Sequence, residues 1–62
     1  MSNDALLKRL KDFIDNEGVK KSHVAKNIDT HLSYLSQAIH GKRELPDDVL
    51  KRLHHYLESK GY

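Results

Sequence analysis

The chain has 62 residues, a net charge of +2 and no cysteine. This length holds one domain, residues 1–62, and leaves too little chain to enclose a water-excluding pocket, so we expect no enzyme, no catalytic residue and no cofactor. No apolar run approaches the roughly 20 residues of a membrane span, and no signal-peptide core is present. We therefore expect no membrane partner, and the absence of cysteine fits a cytoplasmic protein of a bacterial cell.

The positive charge is concentrated in the middle of the sequence. Residues 19–43 hold five basic residues against one acidic residue, a net charge of +4, whereas the remainder holds six basic and eight acidic residues, a net charge of −2. A solvated surface is one explanation of such a cluster. The other is a docking surface for a polyanion such as a nucleic acid.

The first predicted helix covers about residues 4–17. Its apolar residues lie within an arc of about 120°. They are Leu6, Leu7, Leu10, Phe13 and Ile14. Ser2, Asn3 or Asp4 can cap the start of this helix, and Gly18 can supply the left-handed residue that ends it.

The second and third predicted helices cover about residues 21–27 and 31–40. The inward residues of the second helix are Val24, Ala25 and Ile28. Asp29 and Thr30 interrupt the periodicity, and either side chain can cap the third helix. Two short helices around a tight break are typical of a helix-turn-helix, which leaves one face of its second helix free for a DNA groove.

The third predicted helix has an apolar face and an uncharged polar face, and Gly41 ends it. The apolar face consists of Leu35, Ala38 and Ile39, with Leu32 at its margin. The polar face consists of Ser33, Ser36, Gln37 and His40, with Tyr34 at its edge. Lys and Glu are the ordinary residues of a solvated helix face, whereas a protein interface favours aromatic and aliphatic residues. The polar face therefore favours DNA binding.

The fourth predicted helix covers about residues 46–59. Pro46 suits its first position, and Asp47 and Asp48 suit the positive end of its dipole. Its inner stripe consists of Val49, Leu50, Leu53, Tyr56 and Leu57. Gly61 closes the helix. Because no strand pattern or repeat appears, we predict an all-α, compact four-helix domain with a central helix-turn-helix.

Four groups of residues have the spacing of a known family. They are Val24-Ala25, Ile28, Ser33-Tyr34-Leu35-Ser36-Gln37 and His40-Gly41-Lys42-Arg43. These groups resemble the helix-turn-helix domains of lambdoid phage repressors and Cro proteins, the Xre-like family, and the similarity covers roughly residues 5–57. The resemblance implies a lambda-repressor-like fold of four or five helices, whose third helix reads the major groove, usually from a symmetric dimer.

The resemblance also implies roles for individual residues. The residues at base-reading positions are Leu32, Ser33, Ser36 and Gln37. Lys21 takes the place of a phosphate contact at the start of the second helix, and Lys42 and Arg43 match the loop that grips the backbone. Independently of the family, the Gln37 amide matches the donor–acceptor edge of adenine. His40 has two open interpretations: it contacts a phosphate or it helps to end the third helix.

The sequence departs from the family pattern in several places. Asp29 stands where the turn usually has glycine, and Lys21 replaces the usual glutamine. Leu32 replaces a polar base reader and offers only apolar contact, for example to a thymine methyl. Within residues 1–62 we expect no fifth helix, the element that several repressors use for dimerisation. The apolar groups near the end of the fourth helix are Tyr56, Leu57 and Tyr62, of which the first two also suit the core.

The five histidines do not have the spacing of a metal site. His54 and His55 are adjacent, so they point about 100° apart on a helix, and His31 and His40 are nine positions apart. Neither pair has the i, i+4 spacing that brings two rings together. We therefore predict solvated histidines and no metal.

Together these observations predict a sequence-specific double-stranded DNA-binding protein, a transcriptional repressor of the phage or prophage type. We expect it to occupy a palindromic operator as a weak homodimer that forms mainly on DNA. The alternative is a helix-turn-helix fold used as a protein-interaction or assembly module, as in toxin–antitoxin or transposition systems.

Overall fold

Four helices follow one another in residues 3–62, the part of the chain that the computed structural model describes. They are α1 (Asn3–Glu17), α2 (Lys21–Asn27), α3 (Leu32–Ile39) and α4 (Asp47–Ser59). No strand occurs within these described residues, and the predicted all-α, four-helix fold is confirmed.

Three of the predicted helix starts are wrong by one residue, since α1 begins at Asn3, α3 at Leu32 and α4 at Asp47. His31 and Pro46 have extended backbone conformations, with ψ of 141° and 156°, so they precede α3 and α4 as capping residues. Asp47 and Asp48 do lie in the first turn of α4, but the start of that helix has no side-chain cap. At the end of α3, His40 is likewise a capping residue. Of the predicted caps of α1, Asn3 and Asp4 are wrong because they lie inside the helix, and Ser2 lies outside the described residues.

The core is built from the faces that the periodicity predicted. Its buried residues are Leu6, Leu7, Leu10, Phe13, Val24, Ala25, Ile28, Leu35, Ala38, Ile39, Leu45, Val49, Leu50, Leu53 and Leu57. Ile14, Val19 and Tyr56 are only partly buried and pack against its edge. Leu45 lies in the connection between α3 and α4, where no helical periodicity marks a buried position.

The end of the chain packs back on α1. The ring of Phe13 makes T-shaped contacts with Tyr56, at 5.7 Å between ring centroids, and with Tyr62, at 5.1 Å. The Tyr62 hydroxyl donates to the Glu17 carboxylate at 3.1 Å, and Arg9 Nε donates to the main-chain oxygen of Tyr62 at 2.6 Å. These contacts fix the orientation of α1 against α4.

The same contacts involve the apolar groups near the end of α4. Leu57 is fully buried, and Tyr56 and Tyr62 are partly buried against Phe13. The apolar groups near the end of α4 therefore pack against the core of their own chain. Separately, no helix in residues 3–62 combines the length and apolarity needed to cross a membrane.

Candidate nucleic-acid interface

The turn between α2 and α3 is built from main-chain hydrogen bonds. The N–H of Thr30 donates to the carbonyl of Ala25 at 2.9 Å, and Asp29 adopts a left-handed conformation with φ of 56°. This is the Schellman arrangement, in which a left-handed residue ends a helix. The prediction that Asp29 or Thr30 caps α3 is wrong, because both residues close α2 and His31 occupies the capping position without a side-chain bond.

A residue of α4 holds this turn from outside. Arg52 Nε donates to the carbonyl of Ile28 at 2.7 Å, and its terminal nitrogen lies 3.5 Å from the carbonyl of Asp29. The same guanidinium pairs with the Asp48 carboxylate at 3.4 Å. Carbonyls at the end of a helix carry partial negative charge and lack helical partners. Arg52 therefore satisfies the end of α2, a role that no local sequence pattern indicates.

Helix α3 turns its predicted polar face outward. Leu35 and Ala38 are buried against the rest of the domain, which leaves Ser33 and Gln37 exposed on the opposite side, while Ser36 is half-buried. The faces of α3 predicted from periodicity are therefore confirmed, while the base-reading roles remain predictions.

Two large apolar side chains are also exposed on α3. Leu32 is 47% exposed and Tyr34 is 40% exposed, and within the described part of the chain no other large hydrophobic side chain is as exposed to solvent. Leu32 is the first residue of the helix. An apolar side chain in this position can contact a thymine methyl or a protein surface.

The end of α3 sets the direction of the loop that contains Lys42 and Arg43, the basic loop. Gly41 has φ of 75°, and the N–H of Lys42 donates to the carbonyl of Gln37 at 2.8 Å. A glycine accepts this left-handed conformation without the steric cost that a Cβ would bring. Lys42 and Arg43 follow directly and are exposed. The predicted reading face and the predicted phosphate-binding loop are therefore adjacent.

His40 is tied to the end of α3. Its Nδ1 lies 2.8 Å from the carbonyl oxygen of Ser36. A carbonyl only accepts, so Nδ1 carries the hydrogen and donates it. The neutral ring then presents the bare Nε2, and a phosphate oxygen gains a hydrogen bond from this ring only in its imidazolium form. His40 thus helps to end α3, and its phosphate contact remains a prediction.

Arg43 stacks on an aromatic ring. Its guanidinium carbon lies 3.8 Å from the centroid of the Tyr34 ring, and that ring makes a T-shaped contact with His31 at 5.2 Å. His31, Tyr34 and Arg43 are not adjacent in the sequence, but their side chains form one continuous cluster along the edge of α3. Tyr34 and His31 were not among the predicted site residues, although the i, i+3 spacing of the pair was visible in the sequence.

Lys21 is separate from this cluster. It is the half-buried first residue of α2. Within residues 3–62, no hydrogen bond or ion pair joins it to the predicted site residues of α3 or of the basic loop.

The histidines of α4 form a different local arrangement. His54 pairs with the Glu58 carboxylate one turn along, and its ring makes a T-shaped contact with His55. The described residues contain no group of three or more His, Cys, Asp or Glu side chains placed to hold a metal ion.

An open groove adjoins the end of α3. It has a volume of about 620 Å³. Its lining residues are Asp4, Leu7, Lys8, Lys11, Ala38, Ile39, His40 and Gly41. The groove brings two lysines of α1, together with the Asp4 carboxylate, to the end of α3.

Comparisons with known proteins assign no family to the chain. No family model matches it, and neither a curated protein nor a solved structure gave a match. The resemblance to phage repressors therefore remains a prediction from the residues of the helix-turn-helix.

Proposed function

We propose that this protein binds double-stranded DNA in a sequence-specific manner, with α3 in the major groove. On the family resemblance, it acts as a repressor of the phage or prophage type by occupying a palindromic operator. A single α-helix fits the major groove of B-DNA, where each base pair presents a distinct pattern of donors and acceptors.

One observation carries the proposal: an uncharged polar helix face lies directly beside two unpaired exposed cations. Ser33 and Gln37 are exposed on α3, and Lys42 and Arg43 follow its end. Within the described residues, no carboxylate forms an ion pair with either cation. Short polar side chains beside free positive charge match a duplex, because phosphates position a protein and base edges specify the sequence.

The chemistry of the face favours particular bases. The Gln37 amide offers a donor and an acceptor side by side, which suits adenine, and the exposed Leu32 suits the methyl group of thymine. Ser33 is short enough to let the helix backbone approach the groove, and specifies little by itself. We therefore expect an operator half-site that contains at least one A·T pair.

A protein-interaction module is the second candidate, and the exposure of Leu32 and Tyr34 favours it. Aromatic and aliphatic side chains are enriched at the centres of protein interfaces. In that case α3 docks on a partner protein, and the polar residues around these two side chains form the rim of the contact.

Selection of bound sequences from random duplex DNA tests the proposal. Two variants provide a matched pair, since Gln37→Glu and Lys60→Gln each lower the net charge by one. Lys60 lies at the far end of α4, beside Tyr56. The parent protein and Lys60→Gln should both recover one palindromic sequence, and Gln37→Glu should not. If the parent enriches no sequence, DNA reading by α3 is wrong and the protein-interaction candidate takes its place.

A further inference from the structure

We infer that Tyr34 is a positioning residue, which holds the Arg43 guanidinium in place for a DNA phosphate. The inference rests on the proposed function and adds a residue and a geometry to it. The ring of Tyr34 contacts the cation through its face, at 3.8 Å from the guanidinium carbon to the ring centroid.

The three arginines of the chain are used differently. Arg9 and Arg52 donate to main-chain oxygens of other elements, at 2.6 Å and 2.7 Å. Arg43 has no such acceptor within residues 3–62, and its contact in the domain is with the ring of Tyr34. Two arginines therefore hold the fold together, whereas the donors of Arg43 remain available.

Stacking leaves the hydrogen-bonding edge of a guanidinium free. The five N–H donors lie in the plane of the group, so a ring against one face blocks none of them. Phosphate oxygens accept two parallel N–H bonds from that edge. The same cation can therefore contact the ring and a phosphate at once, whereas a paired carboxylate would occupy part of that edge.

The ring is itself held in place. Tyr34 lies on α3, and its T-shaped contact with His31, at 78° between ring planes, restricts its rotation. An arginine side chain is otherwise flexible and loses rotational freedom when it binds a ligand. A cation already held on a fixed ring loses less of this freedom, so we expect the stack to tighten DNA binding without adding a phosphate contact.

A double-mutant cycle tests this role on the duplex recovered by selection. Tyr34→Leu should weaken binding about two- to fivefold, the range of an exposed cation–π contact. Tyr34→Phe keeps the ring and should bind like the parent. Arg43→Ala should lower the log–log salt slope by about 0.9, because one phosphate contact is lost. In the Arg43→Ala background, Tyr34→Leu should have no further effect.

Ring-current shifts of the Arg43 side-chain protons report the stack without DNA. They should be present in the parent and in Tyr34→Phe, and absent in Tyr34→Leu. Both side chains are exposed, so each variant should remain folded, which a thermal melt checks.

The outcomes separate this inference from the function on which it rests. A parent protein that binds no duplex DNA overturns both. If the parent binds, any of three results overturns the inference alone. Tyr34→Leu binds as tightly as the parent, or Tyr34→Phe loses as much affinity as Tyr34→Leu. The third result is that Tyr34→Leu weakens binding equally with and without Arg43. The last result assigns Tyr34 a contact of its own.

Discussion

Arg52 and Ile28 are joined by a 2.7 Å hydrogen bond, from the guanidinium Nε of one to the main-chain carbonyl of the other. The bond spans 24 positions of the sequence and ties α4 to the last turn of α2. Because α3 begins four residues after Ile28, the bond acts on the segment that sets the angle between α2 and α3.

Arg52→Met should destabilise the domain by about 1–2 kcal/mol. The substitution keeps the apolar stem and removes a charged donor from a carbonyl at a helix end. Lys51→Met is the matched control, since it removes the same charge from an exposed neighbour on α4. Urea unfolding of the two variants measures the difference. Equal destabilisation by both would contradict a specific role for the Arg52 bond.

Asp29→Gly should stabilise the domain by about 0.5–1 kcal/mol. Asp29 has φ of 56° and ends α2 in the left-handed conformation, which costs any residue with a Cβ more than it costs glycine. Asp29→Val should destabilise by at least as much, because a β-branched side chain tolerates this conformation poorly. Thermal melts of both variants give the ranking, and a parent more stable than Asp29→Gly would contradict it.

Local periodicity was enough to predict the helices and most of the core. Residues such as Leu10, Val24 and Leu53 lie at helical spacing within apolar stripes, and burial follows from that spacing. Leu45 lies in a connection without periodicity, so nothing local marks it as buried. The Arg52 contacts arise from packing between segments distant in sequence, and a single sequence gives no signal for such contacts. The Tyr34 ring contacts His31, at helical i, i+3 spacing, and Arg43, which lies beyond the end of α3 where no periodicity relates the two residues.

The capping errors have a physical reason as well. Asp29 and Thr30 have the composition of a helix start, but the main chain uses them to close the preceding helix. In a connection of only four residues, the end of one helix and the start of the next compete for the same groups. Composition alone does not decide which helix receives them.

Tyr56→Phe should remove part of the instability at alkaline pH. Burial raises the pKa of the Tyr56 hydroxyl above its usual value of 10.0, so above about pH 10 the unfolded chain loses a proton that the folded chain keeps. The folded state then binds more protons, and its stability falls as pH rises. Below that pH the phenol is neutral in both states and stability is independent of its titration.

The measurement compares melting temperatures of the parent, Tyr56→Phe and Tyr34→Phe from about pH 8 to about pH 11. Tyr34 is exposed and serves as the control. The advantage of Tyr56→Phe over the parent should grow with pH. An advantage that is independent of pH would mean that Tyr56 ionises equally in both states.

Gln37→Ala should weaken binding to the selected operator by about 1–3 kcal/mol and relax the preference at one base position in each half-site. The side chain is exposed, so the melting temperature should stay near that of the parent. Fluorescence anisotropy with operators changed one base pair at a time measures both effects. A uniform loss across all sequences would assign Gln37 to the DNA backbone.

The last prediction concerns the number of copies on DNA. A stable protein interface buries roughly 800 Å² of each partner, about a fifth of the 4153 Å² surface of this chain. The large apolar side chains exposed within residues 3–62 are Leu32 and Tyr34, both on the helix that the proposal assigns to DNA. Little apolar surface remains for a second copy, so we expect a monomer in free solution at micromolar concentration.

DNA should bring two copies together. One α3 of eight residues contacts only a few base pairs, which gives too little discrimination against a genome. Half-sites one helical turn apart lie about 34 Å from centre to centre, and the Cα atoms of one copy extend 24 × 21 × 19 Å. Neighbouring copies then meet only through side chains at their margins, which favours a weak contact and cooperative binding.

Sedimentation of the free protein and of its operator complex tests this arrangement. We expect a 7.2 kDa species alone and two copies for each palindrome. Operators lengthened at the centre by half a turn and by a full turn are a matched pair. Both insertions move the two copies apart, so cooperativity should fall with both operators. The insertion of half a turn also places the copies on opposite faces of the duplex, so no contact between them should remain with that operator. A tight dimer without DNA, or one copy on the intact palindrome, would contradict the arrangement.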